Sequence, residues 1–365
     1  MKARTYFSPE RKTAYDEHPK CKTRYPKTII LLLGGFFKTF LQTLFFVYLW
    51  LSSFTRFLGQ NVWAMEEVAE TALEQFFHTL RIKPHSVLFL IVDDTIVRKS
   101  GKKIPGCAWH RDHAQKAYVF GHQWVLSALL YKDFLLPLWA KLYHPKGTKG
   151  CGSFQTKITM AKKMLQALRL PIPCKLYLLA DSWYWTKQLA QLCRKYGYHM
   201  ISQLKSTSVL FLEGKKTKVT TLSTIHAAYR EVFLFVYGKN KTLKIARFVG
   251  IIQGLGEVAV VVVKEKRKKD SYLVSTNLHL SALDIVKYYA KRWKIEQMIK
   301  DLKQRLGFGH YQVRNPQAIH RHVALASEDP PMVKRQNGFF GCIHPPFSLP
   351  STKAHFAKPY YGCTE

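Results

Sequence analysis

SVLFLIVDDT, Ser86 to Thr95, is a run of β-branched and aromatic residues that stops on a doublet of aspartates. It is apolar at successive positions, so both of its faces want cover, and that is the signature of a central strand sandwiched between helices. Upstream, AMEEVAETALEQFFHTL (Ala64 to Leu80) has acids in its first turn and apolar spacing near 3.6, a helix that Pro84 stops. Downstream, Lys116 to Leu130 and Phe134 to Tyr143 read as strands joined by the polar turn Tyr131-Lys132-Asp133. A helix follows over Lys157 to Leu170, closed by Pro171 and Pro173. A second buried-type strand, KLYLLA (Lys175 to Ala180), ends on Asp181, and the segments Trp183 to Tyr196 and His199 to Leu204 read as helix and strand. Strands alternating with helices make this an α/β protein rather than a sandwich.

From about Ser206 to Ser275 the pattern changes to short β-rich runs (Glu231 to Tyr237, Leu243 to Ile252, Glu257 to Lys264) separated by basic turns such as GKNK and KEKRKK. This predicts an inserted antiparallel subdomain over residues 206–275. The α/β pattern resumes with Tyr272 to Thr276 and a long helix from about Ala282 to Leu306, ended by Gly307 and Gly309. No internal repeat is present.

Composition narrows the partner. Of 365 residues, 57 are Lys or Arg and 23 Asp or Glu, a formal charge of +34, while 47% hydrophobic and 14% aromatic residues exclude a wholly disordered chain. Such a surface suits polyanions, nucleic acid before anionic membrane. The seven cysteines include no C-x-x-C pair and no regular spacing, which fits neither a disulfide scaffold nor a zinc ribbon and points to a reducing, cytoplasmic setting. The most apolar stretch, Thr28 to Leu58, is interrupted by Gly34, Gly35 and Lys38, which leaves less than the roughly 20 residues a spanning helix needs. It reads as buried helices of an N-terminal helical domain, with a membrane helix as the weaker reading.

Two strands ending in acids matter because open α/β sheets bind ligands at the carboxyl ends of their strands. Each Asp also has a plain role as a cap of the next helix or turn, although adjacent charges such as Asp93 and Asp94 repel unless a cation is near. The long helix adds a pattern. In YYAKRWKIEQMIKDLKQRLG, a single helix puts Tyr289, Arg292, Glu296 and Lys303 within about 60° of one another. Alone, Arg292 and Glu296 at i, i+4 are an ordinary surface pair worth about 0.3–0.5 kcal/mol. With two strand-end acids, they form a carboxylate flanked by cations.

These residues resemble a known family. Tyr289, Arg292, Glu296 and Lys303 match in type and spacing the Y-(2)-R-(3)-E-(6)-K signature of bacterial DDE transposases of the insertion-sequence-four type. IVDDT and LLADSWY look like that family's first and second aspartate segments, closest to the insertion-sequence-701 type group, and the resemblance spans roughly Val87 to Val323. It implies a ribonuclease-H-like core interrupted by a β-rich insertion. It further implies catalytic and metal-holding acids Asp94, Asp181 and Glu296 around two Mg²⁺ ions, with Mn²⁺ as a substitute. Asp94 is chosen over Asp93 because the family's aspartate directly precedes the Thr. Tyr289, Arg292 and Lys303 are then DNA-binding residues. The partners implied are double-stranded DNA at transposon ends and target, and a second copy of the chain in a homodimeric synaptic complex, with no small-molecule substrate.

Other residues carry weaker signals. Arg98, Lys99, Lys102 and Lys103 suit phosphate contact or a solvated turn equally well. The Trp183-Tyr184-Trp185 cluster suits base stacking, although core packing is the commoner role of such a run. His110 and His113 in WHRDH have a metal-like spacing but no third ligand, which favours a surface loop. After about Ala324 the chain is proline-rich without helical periodicity. The expected organisation is an N-terminal helical, DNA-binding region (1–85), a catalytic domain (86–325) and an irregular tail (326–365). The tail suggests a truncated or frame-shifted copy, so the alternative to an active transposase is an inactive remnant that only binds DNA.

Overall fold

The computed structural model describes residue 56, residues 58–60 and residues 65–328, apart from 102, 113–114, 149–152, 226–227 and 237. The N-terminal region ahead of these, including nearly all of the apolar stretch from Thr28 to Leu58, and the tail from 329 onward lie outside the described residues. Among the described residues no helix is long and apolar enough to cross a membrane.

A strand apolar on both faces has to be central, and β1 (Val87–Arg98) is: it pairs antiparallel with β3 (Ala117–Tyr131) on one side and parallel with β5 (Lys175–Ala180) on the other. Outside β3 lie β4 (Phe134–Tyr143) and the short β2 (Ala108–Asp112), and outside β5 lies β6 (His199–Gln203), also parallel. This mixed α/β arrangement is consistent with a ribonuclease-H-like DDE fold.

The β-rich stretch forms where the sequence places it but does not make a sheet of its own. Its strands are β7 (Val209–Leu212), β8 (Lys215–Lys218), β9 (Arg230–Val236), β10 (Lys239–Ile252), β11 (Gly256–Glu265) and β12 (Ser271–Ser275). β12 bonds to β6 and β11 to β12, so the whole is one 12-stranded sheet. Apolar alternation within each strand is local and cannot reveal which edge it joins.

β1 alternates strictly. Leu88, Leu90 and Val92 pack with α1 (Met65–Thr79), α2 (Lys157–Ala167) and α3 (Lys187–Lys195), whereas Phe89 and Ile91 pack with α4 (Ala282–Ala290), α5 (Trp293–Arg305) and α6 (Pro316–Glu328). Residues such as Leu90, Ile91 and Leu179 are fully buried, each worth about 1.5–3 kcal/mol relative to exposure.

Four local expectations are corrected. First, β1 does not end at the aspartates: pairing with β5 stops at Ile91, but β3 is long enough to partner β1 as far as Arg98 opposite Gly121. Asp93 and Asp94 therefore lie where one neighbour leaves and the other stays. A Cβ at Gly121 would collide with the carbonyl of Val97, so the close approach needs glycine.

Second, the long helix is two. Between α4 and α5 the Lys291 and Arg292 amides bond three residues back, to Tyr288 and Tyr289, at 3.1 and 3.0 Å, a tightened turn that shifts the phase of everything after it. Third, the helix expected from Trp183 begins only at Lys187, where the Thr186 side chain accepts from the Leu189 amide at 3.3 Å. Residues 181–184 are spent on a turn around Asp181. Fourth, α6 was not anticipated. Its signal is Asn-Pro, with Asn315 accepting from the Gln317 and Ala318 amides at 2.8 and 3.2 Å and Pro316 opening the helix.

Candidate active site

Asp181 follows β5 directly and organises its own turn. Its Oδ1 accepts from the Trp183 amide at 2.9 Å and the Tyr184 amide at 3.3 Å, while Ser202 of β6 donates to its carbonyl at 2.8 Å. The turn drives Tyr184 into the core, fully buried, with its hydroxyl donating to Asp94 Oδ1 at 3.2 Å. Burial, and then the Asp94, Asp93 and Asp181 carboxylates, push the Tyr184 phenol well above its usual range, so it stays a donor. One residue thus ties Asp94 to the Asp181 turn.

The doublet splits across the sheet. Asp94 faces α2, where Lys157 Nζ donates to Oδ2 at 2.9 Å, and Gln123 of β3 donates to the same oxygen. Asp93 faces α5, where Arg292 Nη1 donates to its Oδ2 at 2.7 Å; its Oδ1 accepts from the Asp94 amide at 2.9 Å. Arg292 Nη2 donates to Glu296 as well, while its Nε is buried without a partner. Burial raises the Asp93 carboxyl to about 6 despite the opposing Arg292 charge, and the Asp94 and Asp181 charges add to the rise. This is a site with more negative charge than its two cations comfortably balance.

Of the other residues singled out by the sequence, Tyr289 is buried among Ile91, Leu179 and Ile285. The Arg292 guanidinium lies 6.0 Å from its ring centroid, so Tyr289 stays beside the cation that joins Asp93 and Glu296. Lys303 donates to the Ile96 carbonyl of β1 at 2.8 Å, and burial lowers its pKa. Lys99 likewise turns inward, donating to the Gly309 and Tyr311 carbonyls at 2.7 and 2.6 Å, and Arg98 donates to Gln115. Lys103 is exposed, and 102 lies outside the described residues. His110 is a buried residue of β2 rather than a loop residue, and His113 lies outside the described residues. Lys157, Gln123 and Tyr184 were not anticipated as partners of Asp94; only the short spacing from Asp181 to Tyr184 hinted at any of them.

Among the described residues no three Asp, Glu, His or Cys side chains converge as a metal-holding group. Lys157 and Arg292 are the present counter-ions. The donor chemistry nonetheless fits a hard divalent cation: the carboxylates offer oxygen ligands only, and burial together with their crowded negative charge raises the Asp93 carboxyl to about 6.

Aspartates on β1 and just after the adjacent parallel strand β5, with an acid-bearing helix paired through Arg292 to one of them, are consistent with a DDE nuclease. Residues 51–226, just under half of the chain, match a family model described as "DDE superfamily endonuclease", which supports a DDE transposase-type family. The matched segment includes Asp93, Asp94, Asp181, Lys157 and Tyr184 and ends before Glu296. No curated protein matches the chain.

Proposed function

We propose that the chain is a DNA transposase of the insertion-sequence-four type, nearest the insertion-sequence-701 type group. It would cleave DNA at the ends of its element and join the freed 3′-OH to target DNA. The observation that carries this reading is the Tyr184 hydroxyl on Asp94, which couples the first acid to the Asp181 turn.

In this reading Asp94, Asp181 and Glu296 hold the metal. Asp94 is favoured over Asp93 because its partner Lys157 is a single ammonium, whereas Asp93 is held by a guanidinium and burial raises its carboxyl to about 6. Two bound Mg²⁺ ions would supply a lowered pKa for the attacking oxygen and stabilisation of the leaving one. The chain's own part is positional. Asp94 and Asp181 are pinned by Tyr184 and backbone amides, so they need not reorganise. Lys157, displaced from Asp94, and the Arg292 Nη2, released from Glu296 while Nη1 stays on Asp93, would become free to take phosphate oxygens. Tyr289 and Lys303 contribute to DNA binding by shaping the segment around Arg292 and β1.

The test is incubation with the DNA flanking the gene plus Mg²⁺. Nicking at the element ends that Glu296→Gln abolishes is the expected result. DNA binding without nicking at any metal concentration would replace this reading with that of a binding-only remnant.

A further inference from the structure

Trp183, two residues after Asp181, is a large aromatic that the fold leaves outside. It is 54% exposed, while Tyr184 next to it is fully buried. Its amide is fixed to Asp181 Oδ1 at 2.9 Å, so the position of its backbone relative to that acid is set. Two cations attend its ring: Lys157 Nζ at 5.7 Å and Lys205 Nζ at 5.3 Å from the centroid. Lys157 is also the partner of Asp94 at 2.9 Å, and Lys205 follows the carboxyl end of β6. An exposed indole gains nothing from water. Other exposed aromatics, such as Trp109 on β2 and Phe233 on β9, have no tie to a carboxylate of the site.

We propose that Trp183 is a stacking platform for an unpaired DNA base next to the cleaved position, with Lys157 and Lys205 taking the phosphates that flank that base. The proposal rests on the DNA-cleaving reading above for its location, but not for its test. A π-face bordered by two ammonium groups is what a nucleotide outside a duplex requires: the base replaces a cation on the ring, and the released cation meets the adjoining phosphate. A fully paired base offers no such face. Because Lys157 touches both the ring and Asp94, seating a nucleotide draws the ammonium away from that carboxylate.

The experiment uses the full-length chain in EDTA, where no cleavage occurs, with a short single-stranded oligonucleotide carrying one 2-aminopurine. The protein is expected to quench the 2-aminopurine emission. Trp183→Ala should abolish the quenching and weaken binding about tenfold, whereas Trp183→Phe keeps most of both. The same oligonucleotide annealed to its complement should bind the wild type and Trp183→Ala equally. Lys205→Ala should reduce the slope of log affinity against log salt by about 0.7, one phosphate contact on a single strand. Unchanged quenching in Trp183→Ala, or an equal loss of affinity for the paired duplex, overturns the proposal. Absence of Mg²⁺-dependent nicking by the wild type, with quenching intact, overturns the transposase reading instead.

Discussion

Arg292 joins two acids that lie far apart in the chain: its Nη1 donates to Asp93 Oδ2 at 2.7 Å across 199 residues, and its Nη2 donates to Glu296 one helical turn away. The Asp93 side is largely buried, with side-chain exposures of 16% and 17%, and the Glu296 side is 43% exposed. Most of the energy therefore resides in the first contact, since exposed pairs contribute little.

Arg292→Gln should accordingly cost about 3 kcal/mol of stability in metal-free buffer, because it strands a buried carboxylate. Urea unfolding measures this. Added Mg²⁺ should recover more stability in the variant than in the wild type, as the ion replaces the missing charge. A midpoint unchanged by the substitution would mean that the pair is not formed in solution.

Asp93 and Asp94 are separable by Mn²⁺ binding followed by electron paramagnetic resonance. Asp94→Asn should weaken Mn²⁺ affinity by at least about tenfold, on the scale of losing one charged ligand, and Asp93→Asn by much less. The reverse order would transfer the metal role to Asp93.

The pH dependence of stability should contain two opposed contributions. The Asp93 carboxyl is raised from 3.8 to about 6 by burial, so the folded state holds its proton to higher pH. Its contribution is full below about pH 4 and is lost as pH rises through about 6. Burial lowers His122 from 6.5 to about 4, and its contribution is full above pH 6.5 and lost as pH falls through about 4. His122 Nε2–H donates to the Pro105 carbonyl at 2.9 Å and Nδ1 accepts from Tyr311 at 2.6 Å, an arrangement that only the neutral ring satisfies. Comparing urea midpoints between pH 4 and pH 7, Asp93→Asn should lose the first slope and His122→Asn the second. A slope that survives its own substitution would contradict the assignment.

Gly121→Ala should destabilise the fold by about 1–3 kcal/mol, because its Cβ meets the Val97 carbonyl and the backbone must shift. Thermal unfolding reads the loss. A neutral substitution would mean that β1 and β3 are not in close register at that point.

Much of the core was legible. The strands at Phe134–Tyr143 and Lys175–Ala180 and the helix at Met65–Thr79 fall where apolar period and stop residues place them. The acids Asp181 and Glu296 could be singled out because carboxylates at strand ends and beside basic helix residues are uncommon patterns. The break in the long helix was not legible: i→i−3 bonds from the Lys291, Arg292, Lys294 and Ile295 amides interrupt a helical wheel that assumes an unbroken helix. Lys157 was not legible either, since nothing near it in sequence reveals that Asp94 is its partner.

By itself, the sequence determined most of the strands and helices, the basic surface and the acids available for chemistry, because periodicity, capping and charge act over a few residues. Tertiary structure alone decided that the β-rich stretch extends the main sheet, that Asp93 meets Arg292 while Asp94 meets Lys157, and that Tyr184 is buried while Trp183 is not. Those outcomes depend on which edges and faces meet after long loops close, and a strand's alternation specifies two faces without saying what will cover either.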